Sequence, residues 1–123
     1  YNANPNSVNF AINRFSNIKN KGKKIFILGD MLELGDIEIE EHNKLAKSFN
    51  MSDIDVVLTY GKISENLHKY ISKKKYSKHY YDKENLKIEL NNLICKNDIV
   101  YLKGSRSMKL ESLYKGDIWF IYY

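Results

Sequence analysis

The feature that most constrains this chain is a four-residue apolar run, Ile25-Phe26-Ile27-Leu28, closed by Gly29-Asp30. An unbroken run of this kind, stopped by glycine, is the pattern of a strand buried on both faces. It returns at Val56-Val57-Leu58-Thr59-Tyr60 before Gly61, and at Ile99-Val100-Tyr101-Leu102 before Lys103-Gly104. Between and around these runs lie helical stripes. Val8, Ala11, Ile12, Phe15 and Ile18 form one, and His42, Leu45, Ala46 and Phe49 a second. Ile63, Leu67, Tyr70 and Ile71 describe a third, and Leu86, Leu90, Leu93 and Ile94 a fourth.

Strands that alternate with amphipathic helices need crossover connections, and those make neighbouring strands parallel. The expected fold is therefore α/β: a Rossmann-like three-layer domain with a mostly parallel sheet and helices on both faces. Lys78-His79-Tyr80-Tyr81 reads as a shorter, more exposed strand, and the stretch from Asp117 to Tyr123, including Trp119, as a last strand-like run. Asn4 followed by Pro5 makes a natural helix start, with Asn as cap and Pro in the first turn. Asp36 is placed to cap the helix that carries Glu38, Glu40 and Glu41 in its first turns.

With 123 residues, 43% of them hydrophobic, residues 1–123 are expected to form a single domain. No apolar run approaches the roughly 20 residues that cross a bilayer. No charged-then-apolar leader opens the chain, so neither a membrane span nor a secretion signal is expected, and the expected setting is cytoplasmic. The one cysteine, Cys95, follows Leu93 and Ile94 and is expected as a buried structural thiol. A net charge of +5 raises nucleic acid as a partner, but the basic residues do not gather with aromatics. The densest run, Lys73-Lys74-Lys75, reads as a solvated helix end. The chain opens without Met, inside Tyr1-Asn2-Ala3-Asn4-Pro5, and so reads as a piece of a longer protein.

In open α/β sheets, ligands collect beyond the carboxyl ends of the strands, which here means residues 29–35 and 103–107. Lys103-Gly104-Ser105-Arg106 brings an ammonium, a hydroxyl and a guanidinium to one place, a set suited to a carboxylate or phosphate. The residues alone leave open whether they bind an anion or face water. Asp30 has the chemistry to meet an amine or cap a turn, and His42 lies on an inner helical face, where a hydrogen-bonded core imidazole is the ordinary outcome. His68 and His79 have no ligand-spaced partner, so no metal site is expected. Gly61-Lys62 is not a phosphate loop, because Val56 and Ile63 stand where that pattern needs glycine and Ser or Thr.

Tyr-Asn-Ala-Asn-Pro at 1–5, Leu-Gly-Asp-Met-Leu-Glu-Leu-Gly at 28–35, His42, and Lys-Gly-Ser-Arg-Ser-Met at 103–108 together resemble the carboxyl-terminal domain of the Mur ligase family, in its D-alanyl-D-alanine-adding branch. The resemblance implies part of an ATP-dependent, amide-forming ligase of peptidoglycan synthesis. ATP would phosphorylate the carboxylate of UDP-N-acetylmuramoyl-tripeptide, and the amine of D-Ala-D-Ala would attack the acyl phosphate. Amino-terminal UDP-sugar and central ATPase domains would be partners outside this chain, with the phosphate loop and the Mg2+ ligands in the central one. Carried over by position, Tyr1, Asn2 and Asn4 would meet ATP, and Asp30, Lys103, Ser105 and Arg106 the incoming dipeptide. No catalytic residue is expected within the 123 residues. Two rival readings are a nucleotide- or RNA-binding flavodoxin-like module, and a diamino-acid-adding or folylpolyglutamate-type ligase domain.

Overall fold

The computed structural model describes residues 3–105 and 119–122. Its sheet has five strands in the order β3-β2-β1-β4-β5, every neighbouring pair parallel. They are β1 (Lys24–Gly29), β2 (Val56–Tyr60), β3 (Tyr76–Tyr80), β4 (Ile99–Lys103) and β5 (Trp119–Tyr122). Among the described residues three α-helices accompany them: α1 (Pro5–Ser16), α2 (Glu38–Asn50) and α3 (Lys83–Leu93). The expected α/β three-layer architecture is what the chain adopts.

Alternation along the strands divides the core in two. Phe26, Leu28, Val57 and Tyr101 face α1 and α2, where they meet Val8, Ile12, Phe15, Leu45 and Phe49. Ile25, Ile27, Val56, Leu58, Val100 and Leu102 face the other way, onto Leu86 and Leu90 of α3. Because β1 has core on both faces, all six of its residues are buried, which is why its sequence shows no polar alternation. Phe26 stacks on Tyr101 at 5.2 Å between centroids and meets Phe49 edge-on at 5.1 Å. These contacts fix the register of α2 against the sheet.

Helix α1 starts as its sequence requires. The Asn4 side chain accepts the Ser7 N–H at 2.9 Å, the Ser7 hydroxyl accepts the Asn4 N–H at 3.0 Å, and Pro5 stands in the first turn. Its far end lies by the start of β1, where Lys24 Nζ donates to the Ser16 carbonyl. The amino end of α1 is thereby directed to the carboxyl edge of the sheet.

Four expectations need correction. Asp36 caps nothing: it lies inside a 3₁₀ turn (Gly35–Ile37) that runs directly into α2, so no side-chain cap is formed. The stripe from Ile63 to Ile71 is a 3₁₀ helix (Ser64–Lys69), and Ile71 lies beyond it. Lys75 follows no α-helix end, and its ammonium donates to the carbonyls of Ser52 and Ile54; burial lowers its pKa. Cys95 is exposed, because the backbone turns extended at Ile94 and carries the thiol away from the core.

Candidate functional site

The strand order sets the site's position. From β1 the chain steps to β2 and then β3 on one side, while β4 joins β1 on the other, so the order reverses between β1 and β4. At such a reversal, in open α/β sheets, ligands collect beyond the carboxyl ends of the strands. Residues 29–35 and 103–105 lie at that edge.

They are joined to each other by hydrogen bonds. Ser105 Oγ accepts the Leu32 N–H at 3.1 Å, and the Ser105 N–H reaches the Asp30 carbonyl at 3.4 Å. Below them, His42 is fully buried and joins α2 to the same loop. Its Nδ1 donates to the Glu38 carbonyl at 2.6 Å, because a carbonyl can only accept, and its Nε2 accepts the Met31 N–H at 2.8 Å. Both ring nitrogens are thus used, and the neutral Nδ1–H tautomer is the one that fits. His42 lies on the core face, as its spacing suggested, with a defined task of holding the first turn of the loop.

Asp30 is 3% exposed, and its carboxylate holds a second loop. Oδ2 accepts the N–H groups of Lys62 at 2.7 Å and Ile63 at 3.1 Å, and Oδ1 accepts that of Ser64 at 3.0 Å. The side chain therefore caps the 3₁₀ helix that follows β2 from the loop of the neighbouring strand. Gly61 makes the approach feasible. Its φ of +129° suits glycine, and a Cβ there would stand 2.3 Å from the Asp30 carboxyl carbon. The 61–64 loop, on the β2 side of β1, is a further loop of this edge that the sequence reading did not assign. Its signal was a glycine after a buried strand, the same signal that marked Gly29.

Lys103 ends β4 with its side chain buried, and burial alone lowers its pKa. Among the described residues no acidic partner meets its ammonium, so an anion reaching it would gain a poorly solvated cation. Ser105 is buried and holds Leu32. Asn4 is exposed at the start of α1 with its oxygen committed to the helix cap. Tyr1, Asn2 and Arg106 lie outside the described residues, as do 107–118 and Tyr123.

The structure also joins two histidines that spacing left apart: Thr59 Oγ1 lies 2.7 Å from both His68 Nε2 and His79 Nδ1. Among the described residues no three His, Cys, Asp or Glu side chains gather in a way that would hold a metal ion. Among them, too, no helix is long and apolar enough to cross a membrane.

Residues 1–106 match the family described as "Mur ligase, glutamate ligase domain". The chain is 40% identical over 119 residues to the UDP-N-acetylmuramoyl-tripeptide--D-alanyl-D-alanine ligase of Bacillus subtilis, covering 94% of this chain and 26% of that protein. The Escherichia coli ligase of the same name is 30% identical over 118 residues, covering 94% and 25%. Among solved structures, MurF from Acinetobacter baumannii superposes with a TM-score of 0.78 at 28% identity, over 92% of this chain and 25% of that one. MurF ligase from Thermotoga maritima in complex with ADP gives 0.70 at 30% identity, over the same shares. The chain spans about a quarter of the length of the relatives it matches.

Proposed function

The chain belongs to the Mur ligase family, and on that premise we propose that it is the carboxyl-terminal domain of a cytoplasmic ligase joining D-Ala-D-Ala to UDP-N-acetylmuramoyl-tripeptide. The observation that carries this reading is the carboxyl edge of β1 and β4, where loops 29–35 and 103–105 are laced together beside the buried Lys103. In this reading residues 1–123 make one domain, and the UDP-sugar and ATPase domains are its partners in the full protein. The nucleotide meets the start of α1 through Tyr1, Asn2 and Asn4. Magnesium, where present, is held by central-domain side chains.

Lys103, Ser105 and Arg106 would receive the carboxylate end of the dipeptide. The buried ammonium of Lys103 and the guanidinium that Arg106 carries would each offer charge-assisted hydrogen bonds of about 1.5–3 kcal/mol. Asp30 would stand towards the incoming amine and, with three backbone donors on its two oxygens, would fix the 29–35 loop against the 61–64 loop. Closure of this domain over ATP would exclude water from an acyl phosphate that otherwise hydrolyses, leaving the dipeptide amine as nucleophile.

The test is Arg106→Ala and Lys103→Met in the ligase that carries this domain. Both are expected to raise KM for D-Ala-D-Ala by roughly tenfold or more, the equivalent of one charge-assisted bond, with KM for ATP changed by less than about threefold. Equal effects on the two substrates would remove these residues from the dipeptide site.

A further inference from the structure

We propose that Thr59, His68 and His79 form a one-way hydrogen-bond chain that positions the 61–64 loop beside Asp30, with His79 acting through the Gly61 carbonyl. The hydrogen-bond logic is independent of the ligase reading; only its consequence for substrate rests on that reading.

The direction of the chain follows from donor and acceptor capacity. His79 Nε2 lies 2.7 Å from the Gly61 carbonyl oxygen, which can only accept, so Nε2 carries the proton. In a neutral ring, His79 Nδ1 is then an acceptor, and the single hydroxyl proton of Thr59 is directed at it. Thr59 Oγ1 must in turn accept from His68 Nε2. That leaves His68 Nδ1 as an acceptor for the hydroxyl of Ser77. Every donor from Ser77 onwards points towards Gly61, and both imidazoles are Nε2–H tautomers. Thr59 is fully buried at the heart of this chain, which explains a hydroxyl in an otherwise apolar strand.

The surroundings favour a neutral His68. Burial first, and then the neighbouring His79, lower its pKa to about 4, against an opposing pull from Glu65. The Tyr81 ring packs edge-on against His79 at 4.8 Å, and its hydroxyl donates to Glu65. The chain ends at the loop that Asp30 holds. The Gly61 N–H donates to the Tyr80 carbonyl at 3.2 Å and its carbonyl receives His79, while the next three N–H groups go to Asp30. Consecutive peptide groups of this loop are therefore held from two sides, by a carboxylate on one and by an imidazole on the other.

The experiment uses the 15N-labelled 123-residue chain. Long-range proton–nitrogen spectra at neutral pH are expected to show His68 and His79 both as Nε2–H tautomers; an Nδ1–H tautomer at either ring overturns the chain. His79→Gln keeps an N–H near the Nε2 position, whereas His79→Asn keeps only an acceptor near Nδ1. His79→Asn should speed amide exchange at Lys62, Ile63 and Ser64 by roughly tenfold, and His79→Gln by less than about threefold. Equal acceleration in both variants, or none in either, would refute positioning through Gly61. The tautomers are read on the unaltered chain, so that arm holds even if a variant fails to fold. In the parent ligase, His79→Asn should raise KM for D-Ala-D-Ala more than His79→Gln does. If the exchange results hold but KM does not respond, the chain stands and the substrate assignment falls.

Discussion

Replacing Asp30 with Asn alters charge and donor pattern while almost keeping shape, and so isolates what the carboxylate does. The side chain is 3% exposed and accepts three backbone N–H groups, at 2.7, 3.1 and 3.0 Å. An Asn oxygen in the Oδ2 position keeps the bonds from Lys62 and Ile63 but weakens them by removing the charge, at about 0.5 kcal/mol each. Its amide nitrogen would face the Ser64 N–H, losing that bond and leaving a buried donor unpaired, at about 2 kcal/mol. The sum is about 3 kcal/mol, enough to lower the melting temperature by roughly 10–15 °C in a domain of this size. Asp36→Asn is the control: Asp36 is exposed and caps no helix, so its cost should stay within about 0.5 kcal/mol. Urea unfolding of both variants at pH 7.5 measures the difference. Should Asp30→Asn cost less than about 1 kcal/mol, the carboxylate is not what holds the 61–64 loop.

Two further outcomes follow from the same geometry. Gly61→Ala sets a Cβ 2.3 Å from the Asp30 carboxyl carbon at φ +129°, so it should cost at least about 2 kcal/mol and shift the Lys62 to Ser64 amides; a near-neutral urea midpoint would contradict it. His68, lowered from 6.5 to about 4, favours the folded state while neutral. That contribution is complete above about pH 6.5 and is lost as pH falls through about 4. The full lowering corresponds to roughly 3 kcal/mol, and solvent screening of the half-buried ring reduces it to ~1–2 kcal/mol. His68→Gln should therefore flatten the loss of stability between pH 7 and pH 4.5 by that amount, and an unchanged slope would show that His68 carries none of it.

The sheet was legible because a strand with core on both faces cannot hide. Ile25 to Leu28, Val56 to Leu58 and Ile99 to Leu102 are buried, unbroken apolar runs. The Asn4-Pro5 helix start was legible because its hydrogen bonds are local. Asp36 misled because a cap depends on where the preceding turn sends the backbone, and the 3₁₀ turn at 35–37 leaves no open first turn to cap. At the site, the neighbourhood of 29–35 and 103–105 followed from topology. The engagement of Asp30 with residues 62–64 and the pairing of His68 with His79 through Thr59 did not, since both are side-chain contacts between different elements that no local spacing encodes. Cys95 shows the limit of local patterning, because one extended residue after α3 reverses which way the thiol faces.

The central claim is that this domain serves a D-alanyl-D-alanine-adding ligase. The most direct measurement replaces the matching quarter of the Bacillus subtilis ligase with this chain and follows phosphate release from ATP in the presence of UDP-N-acetylmuramoyl-tripeptide. The account predicts release that depends on D-Ala-D-Ala and yields the UDP-linked pentapeptide. A chimaera that folds and binds ATP but turns over with glutamate or a diamino acid instead, or shows no dependence on the dipeptide, would contradict it.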